Sequence, residues 1–214
     1  MKIETLIVGP FEVNCLFIHG SDNHVIVIDP GQDAAHIIDH LNHAKVHVAA
    51  YLLTHGHCDH IAALSEVYAA HPAPVGMHTD DASWAFISAN QFPPYYPPLL
   101  NPPPMTISVE DGGTIELAGL RISTISTPGH TPGCVCFHFV EGRVLITGDT
   151  LFAGSVGRTD LPGGDPRLLA QSLKKLRILP AVTRIYPGHG PDSTIGREIK
   201  TNYFMTDTHL TDNK

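Results

Sequence analysis

The sequence predicts an α/β fold in which β-sheets form a sandwich, and three observations support this prediction. Short apolar runs of strand length alternate with segments of helical length. The second half of the chain repeats the order of the first, with strands, a polar loop, further strands and a helix. Histidines and aspartates cluster directly after predicted strands, which would bring them to one edge of the sandwich. With 214 residues, 43% of them hydrophobic and 16% charged, the chain suits one globular domain, which we expect to span residues 1–214.

The first half opens with three predicted strands and a helix. Segment 20–23 has the composition of a hairpin turn between the second and third strands. Asp33 precedes the helix and is its expected N-cap. Asp29 ends the third strand, and two interpretations stay open for it: a turn former, or a residue that orients a ligand loop. Asp80 and Asp81 suit the positive end of a later helix dipole. The predicted strands are 3–8, 14–18, 24–28, 48–53 and 74–77, and the predicted helices are 34–44, 61–70 and 80–88.

Three histidines and one aspartate lie within the six consecutive positions 55–60, shortly after a predicted strand. Such side chains bury poorly unless they are paired or bind a metal, so this cluster favours a metal site over a purely structural loop. His55 and His57, two residues apart, can converge on one ion from an extended turn. Asp59 and His60 fall on the opening turn of the next helix and would face a second ion.

The proline-rich segment 91–104 can form neither a helix interior nor a central strand. It is more apolar than a flexible linker, and Tyr95 and Tyr96 offer flat rings with polar tips. These two tyrosines are therefore candidate substrate-binding residues in a wall or lid over the site. A rigid surface loop packed on the domain is the alternative. The sequence leaves open whether Phe92, Tyr95 and Tyr96 reach a pocket.

The second half adds three candidate ligands, each on a loop after a predicted strand. His130 lies between two Pro-Gly pairs, which make a loop stiff enough to fix the direction of an imidazole. Asp149 follows an apolar strand and a glycine, where its carboxylate could bridge two ions. His189 follows the last strand, in the sequence P-G-H-G. The predicted strands are 114–117, 120–126, 134–139, 143–146 and 183–186, and the predicted helices are 166–177 and 194–202.

Composition narrows the classes of partner and compartment. The net charge of −8, with no dense run of Lys and Arg, argues against nucleic acid. Four cysteines make no disulfide framework, and Cys134 and Cys136 are expected to be small core residues, which favours a reducing compartment. No signal peptide or membrane-length apolar segment is evident. We expect a cytoplasmic protein that binds neither nucleic acid nor membranes, and the oligomeric state is not predicted.

The motif order H-x-H-x-D-H, P-G-H-T-P-G, T-G-D and P-G-H-G resembles that of the metallo-β-lactamase superfamily over nearly the whole chain. The resemblance implies a four-layer αββα sandwich. It also implies two divalent metal ions with Asp149 bridging them. Imidazoles and carboxylates suit zinc, and also iron or manganese. The implied ligands are His55, His57 and His130 for the first ion, and Asp59, His60 and His189 for the second.

Within that superfamily, segment 154–160 looks like the glyoxalase II and persulfide dioxygenase branch. The chain ends soon after His189 and so resembles short bacterial glyoxalase II-like proteins, without the C-terminal helical domain of longer members. This resemblance implies hydrolysis of a glutathione thioester, S-D-lactoylglutathione above all, to D-lactate and glutathione. Two alternatives are a mononuclear iron persulfide dioxygenase acting on glutathione persulfide, and a metallohydrolase of another small ester or thioester. The β-lactamases themselves typically lack one or more of these ligands, which disfavours antibiotic hydrolysis.

Arg158 is the candidate for binding a glutathione carboxylate, since a guanidinium can hold a carboxylate through two hydrogen bonds. An ion pair with Asp160 or Asp165 is the alternative for this arginine. In the expected mechanism, two cations share a water and lower its pKa toward about 7, and the resulting bridging hydroxide attacks the thioester. Asp59, which would orient this nucleophile, and Asp149, which would hold both metals, are the expected catalytic carboxylates. Because ligand histidines must be neutral, activity should be lost below about pH 6.

Overall fold

The computed structural model describes residues 1–206, and two six-stranded sheets form its framework. The expected single domain of residues 1–214 includes residues 207–214, which lie outside the described residues. The first sheet contains, in spatial order, β1 (Lys2–Val8), β2 (Val13–His19), β3 (His24–Ile28), β4 (His47–Leu52), β5 (Val75–Met77) and β6 (Met105–Ser108). The second half provides β7 (Thr114–Leu117), β8 (Leu120–Ser126), β9 (Val135–Phe139), β10 (Val144–Gly148), β11 (Leu151–Phe152), β12 (Ser155–Val156), β13 (Arg184–Pro187) and β14 (Ser193–Thr194). The second sheet has the order β14-β13-β10-β9-β8-β7, and β11 pairs with β12 in a small hairpin.

Helices cover the outer faces of both sheets, and three hydrophobic clusters separate the resulting four layers. The first cluster joins Ile37 and Leu64 to the first sheet, and the second fills the space between the sheets, where Ile26 and Phe137 are buried. The third joins Leu173 to the second sheet. The predicted αββα sandwich is confirmed. The helices are α1 (Ala34–Ala44), α2 (Cys58–Ile61), α3 (Leu64–Ala70), α4 (Thr79–Ala82), α5 (Pro166–Arg177) and α6 (Ile195–Thr201).

Parallel strand pairs bring the polar loops to one edge of the sandwich. β3 pairs in parallel with β4, and β10 pairs in parallel with β13, so the loops after each pair leave the sheet at the same edge. The two sheets are also joined there. Val13 of β2 forms an isolated bridge with His189, and the Asn14 N–H donates to the Gly188 carbonyl at 2.8 Å. This edge therefore holds residues from both halves of the chain in fixed positions.

Asp33 occupies the N-cap position of α1, as predicted, but its side chain does not cap the helix. Asp33 adopts a left-handed conformation with φ 60°, and its side chain makes no capping hydrogen bond in the helix. Its carboxylate instead accepts a hydrogen bond from the Gly9 N–H at 2.8 Å. The side chain thus joins the β1–β2 loop to the start of α1.

Two helices are shorter than predicted. The predicted helix 61–70 is divided into α2 and α3, because the Ala63 N–H donates to carbonyls of the loop after β3. The predicted helix 80–88 ends at Ala82, and turns follow it. Strand β6, which follows the proline-rich segment, was not predicted, since only four residues carry it and none of them is fully buried.

Of the four cysteines, Cys134 and Cys136 lie in the core, as predicted. All four are free thiols, and Cys134 and Cys136 are buried. Among residues 1–206, no helix is both long enough and apolar enough to cross a membrane.

Candidate metal centre

The first ligand cluster consists of three imidazoles from two loops. His55 and His57 come from the loop after β4, and His130 comes from the loop between β8 and β9. One nitrogen from each ring lies within 4.8 Å of the other two. His57 Nδ1 and His130 Nε2 are only 2.8 Å apart, a separation that requires a shared proton or a shared cation. His55 Nε2 is buried with no hydrogen-bond partner among the described residues.

The second cluster combines a carboxylate with two imidazoles. Asp59 and His60 lie on α2, directly after the first two histidines, and His189 follows β13. One atom from each of the three lies within 4.8 Å of the others. His60 Nε2 and His189 Nε2 are 3.2 Å apart, and Asp59 Oδ2 lies 3.8 Å from the first and 3.6 Å from the second.

Asp149 lies between the two clusters. Its Oδ2 is 3.5 Å from His130 Nε2 in the first cluster and 3.6 Å from His189 Nε2 in the second. Its Oδ1 is 3.4 Å from His60 Nε2 and, although buried, makes no hydrogen bond within the described residues. One carboxylate thus faces ligand atoms of both clusters, which is the arrangement that a bridging ligand requires.

Hydrogen bonds outside the clusters fix which nitrogen of each imidazole faces inward. In four of the five histidines, Nδ1 contacts an oxygen that can accept its proton, so Nε2 is left as the free lone pair. His57 is different, because its Nδ1 faces His130. The four outer contacts are His55 with Thr54 Oγ1 at 3.1 Å, His60 with Asp29 Oδ2 at 2.9 Å, His130 with the Arg158 carbonyl at 2.7 Å, and His189 with the Phe11 carbonyl at 2.8 Å.

Asp29 makes the contacts expected of the second interpretation, in which it orients a ligand loop. Its carboxylate accepts hydrogen bonds from the Thr54 N–H at 2.8 Å and the Thr54 hydroxyl at 2.6 Å. The same carboxylate holds His60. It therefore connects the strand end of β3 to both the start and the end of the first ligand loop.

The two clusters differ in how strongly they hold protons without metal. Burial, reinforced by the neighbouring histidines, lowers the pKa of His57 to about 3. Burial also opposes protonation of His60, but the carboxylates of Asp149 and Asp59 outweigh it and raise its pKa to about 10. The pKa of His189 is raised by the same two carboxylates against the effect of burial. His57 in the first cluster is therefore neutral at pH 7, whereas His60 in the second holds a proton until a cation replaces it.

We expect zinc binding to the metal-free protein at pH 7.5 to release about one to two protons from the second cluster, because ligand histidines must be deprotonated. The count is measurable by calorimetry in two buffers of different ionisation enthalpy. His60→Gln removes the most basic imidazole and should release about one proton fewer, since no proton on residue 60 remains to be displaced. An equal count in both proteins would contradict the assignment of that proton to His60.

The donor set fits two divalent cations. Imidazoles and carboxylates without a thiolate suit zinc, and equally iron or manganese. The burial of His55 Nε2 and Asp149 Oδ1 without partners among residues 1–206 supports this fit. A buried polar atom left unpaired costs about 1–3 kcal/mol, and a cation between the clusters would satisfy both.

Sequence reasoning missed Asp81, which joins the two loops of the first cluster. Its buried carboxylate accepts hydrogen bonds from the Gly56 N–H, the Gly133 N–H and the Thr131 hydroxyl, each at 2.7 Å. Gly56 lies between the first two ligand histidines, and the other two donors follow His130. The predicted dipole role fits neither this burial nor these partners, although burial does raise the pKa of the carboxyl.

Asn14 was also missed, because it lies within a predicted strand. Its side-chain amide donates to the Pro187 carbonyl at 3.0 Å and to the Gly190 carbonyl at 2.8 Å. These contacts hold the loop that carries His189 from both sides. Neighbouring Gly188 has no room for a side chain, since an added Cβ would lie 2.2 Å from Asp149 Oδ1.

A cavity of about 730 Å³ opens over both clusters. Side chains from each cluster line it, together with Cys58, whose pKa burial raises to about 11, so that the thiol stays neutral. The rest of the lining is mostly apolar and comes from three segments that are distant in the sequence. The principal apolar lining residues are Phe11, Trp84, Ile87, Phe92, Leu161 and Pro162.

The structure places neither predicted tyrosine in the lining of this cavity. Tyr96 is buried, and its hydroxyl accepts a hydrogen bond from the Phe11 N–H at 3.3 Å. Tyr95 is exposed and packs against Phe92 with ring centroids 6.3 Å apart. Phe92 lines the cavity in their place. A run of aromatic residues and prolines has no regular period, so the sequence could not indicate which ring faces inward.

Arg158 lies in the lining, as expected for a substrate-binding residue, and it also forms the ion pair that was the alternative. Its guanidinium makes two hydrogen bonds of 2.7 Å to the Asp160 carboxylate. The side chains of both residues are more than half exposed. The backbone carbonyl of Arg158 holds His130, so this residue contacts the first cluster independently of its side chain.

Comparisons with known proteins agree with this geometry. A family model described as "Metallo-beta-lactamase superfamily" matches residues 8–189. A Haemophilus influenzae protein named hydroxyacylglutathione hydrolase GloC is 33% identical, over 96% of this chain and 98% of its own.

Two solved structures are similar over nearly their whole length. The chain named BLEG-1 B3 metallo-beta-lactamase superposes with a TM-score of 0.89 and 34% identity, covering 96% of this chain and 100% of that one. The chain of TTHA1623, solved in a di-iron-bound form, has a TM-score of 0.83 and 36% identity, covering 94% and 99%.

Proposed function

We propose that this chain, which belongs to the metallo-β-lactamase superfamily, is a metal-dependent hydrolase that cleaves thioesters of glutathione such as S-D-lactoylglutathione. As a member of that superfamily it is a metal-binding hydrolase. The observation that carries the proposal is the convergence of two ligand clusters beneath one cavity. The name of the Haemophilus relative supports the choice of thioester, and the cavity is large enough for a small-molecule substrate.

The proposed ligands are the residues of the two clusters, with Asp149 shared between them. When bound, two divalent cations supply a water of lowered pKa and positive charge for the developing oxyanion. Zinc is the proposed metal, with iron or manganese as alternatives. The second cluster of Asp59, His60 and His189 provides ligands for a second ion, and the single iron of a persulfide dioxygenase is the alternative.

Asp59 is the proposed residue that orients the attacking water. It lines the cavity, and burial opposes its ionisation, but His60 and His189 outweigh that effect and hold its pKa below the usual range. A carboxylate this acidic accepts a hydrogen bond well but takes a proton poorly. Asp59 therefore positions the water rather than taking its proton. The leaving thiolate needs little protonation, because thiols of this type have a pKa of about 8.5.

The decisive experiment is thiol release from S-D-lactoylglutathione by metal-free protein reconstituted with zinc or manganese. We expect release that depends on metal and is abolished in His57→Ala. A chromogenic β-lactam is a parallel substrate, because one structural neighbour is named a β-lactamase. Correctly metallated protein that releases no thiol would overturn the proposal. Oxygen uptake with glutathione persulfide by the iron form would then identify the dioxygenase alternative.

The side chain of Arg158 is proposed to bind a carboxylate of the thiol half of the substrate. Arg158→Ala is expected to raise KM for S-D-lactoylglutathione about three- to tenfold, because an exposed charged hydrogen bond contributes modestly. Asp160→Ala frees the guanidinium from its present partner and should lower KM. Steady-state kinetics of both variants test this, and an unchanged KM in Arg158→Ala would remove the side chain from the binding site.

A further inference from the structure

One wall of the cavity is apolar and partly unshielded. Phe92 and Ile87 are each about half exposed, at 51% and 50%, and Phe11 is 37% exposed. All three line the cavity, as does Trp84. Exposed apolar residues gathered at one concave site usually mark a place that an apolar ligand covers.

This wall begins directly at the ligand histidines. The ring of Trp84 stands edge-on to that of His57, with centroids 5.7 Å apart. The backbone carbonyl of Phe11 contacts His189 Nδ1, and the Phe11 ring packs against that of Phe92 with centroids 5.2 Å apart. The apolar surface therefore borders both ligand clusters, through the Trp84–His57 contact and the Phe11–His189 contact. The substituent of a reacting carbonyl would lie against this surface.

The charged groups of the substrate would bind away from this apolar wall. Among residues 1–206, Arg158 is the only Lys or Arg in the cavity lining, and its exposed guanidinium is directed to Asp160. Glutathione carries its charged groups several bonds from the sulfur, so it can reach toward this arginine and away from the clusters. The lactoyl group, with a methyl and a hydroxyl, is too small and too polar to cover the wall.

We infer, building on the proposed thioesterase function, that the preferred acyl group is apolar and larger than lactoyl, an aryl or branched-alkyl group that packs against Phe92, Ile87 and Trp84. The carbonyl then lies over the ligand clusters, and the thiol half extends toward Arg158. Phe92 and Ile87 are the residues that set acyl specificity.

Two thioesters that differ only in one substituent test this inference. S-D-Mandeloylglutathione has a phenyl group where S-D-lactoylglutathione has a methyl, with the same hydroxyl and the same thiol. We expect kcat/KM of the zinc-reconstituted protein to be at least about tenfold higher for the mandeloyl compound, since apolar contacts of this size give ten- to hundredfold discrimination. Phe92→Ala and Ile87→Ala should each lower that ratio several-fold. Both side chains are half exposed, so neither substitution threatens folding.

Leu100→Ala is the matched control, because Leu100 belongs to the same proline-rich segment and is 72% exposed but does not line the cavity. Its ratio should equal that of the unmodified protein. Hydrolysis of both thioesters at equal kcat/KM, or a ratio that Phe92→Ala and Ile87→Ala leave unchanged, would overturn the inference and leave the thioesterase function standing. If neither compound is hydrolysed, both the acyl preference and the thioesterase function are overturned.

Discussion

Gly188→Ala is expected to reduce hydrolysis by more than about 10²-fold while the protein remains folded, since a displacement of about 1 Å at reacting groups is enough for such a loss. The added Cβ would lie 2.2 Å from Asp149 Oδ1 and 2.7 Å from His60 Cε1. Neither neighbour can yield without moving a ligand, because Asp149 faces both clusters and His60 is fixed by Asp29. Metal titration followed by kinetics on the same sample would separate lost affinity from lost turnover.

Gly190→Ala is the control for this substitution. It lies two residues further along the same loop, and an added Cβ there meets no atom of residues 1–206 within 4 Å. Its φ of +73° makes alanine unfavourable, by about 1–2 kcal/mol, but the substitution leaves the ligands untouched. Activity should therefore survive in Gly190→Ala. Equal losses in the two variants would show that backbone strain in the loop, rather than contact with Asp149, decides the outcome.

The sequence was informative wherever one side chain and its place on a strand were sufficient. Histidines that follow apolar runs had to lie at strand ends, and parallel pairing of β3 with β4 and β10 with β13 brings such ends together. The spacing of His55 and His57 indicated a shared ion before any geometry was known, and these rings do meet His130. The layer order followed from the resemblance and is confirmed by the three hydrophobic clusters.

The residues that hold the ligands in place could not be found in the same way. Asn14 contacts a loop more than 170 positions away, and nothing in its own strand indicates that partner. The cavity wall combines Phe11 with residues of the proline-rich segment, whose irregular backbone gives no period from which to assign a face. Tyr96 shows the consequence, because it lies next to the exposed Tyr95 yet is buried. Such contacts depend on tertiary packing, which local sequence patterns do not encode.

Asp81→Ala is expected to destabilise the protein by about 3 kcal/mol or more and to weaken metal binding about 10- to 100-fold. The substitution leaves three donors, on Gly56, Gly133 and Thr131, without an acceptor in a fully buried site. Each unpaired donor costs about 1–3 kcal/mol. Because these donors belong to the two loops of the first cluster, the loops would separate, and His57 and His130 would lose their shared geometry.

The neighbouring Asp80 provides a control of the same residue type. Its side chain is 62% exposed, and its carboxylate lies 3.7 Å from His78 Nδ1. Asp80→Ala should change the free energy of unfolding by less than about 0.5 kcal/mol and leave metal affinity unchanged.

Asp81→Asn distinguishes shape from charge, since an amide fills the same space but presents an N–H to at least one of the donors. It should fall between the unmodified protein and Asp81→Ala in both measurements. Denaturant unfolding and zinc titration of all three variants decide the matter, and an Asp81→Ala protein that behaves like Asp80→Ala would show that the two ligand loops hold together without this carboxylate.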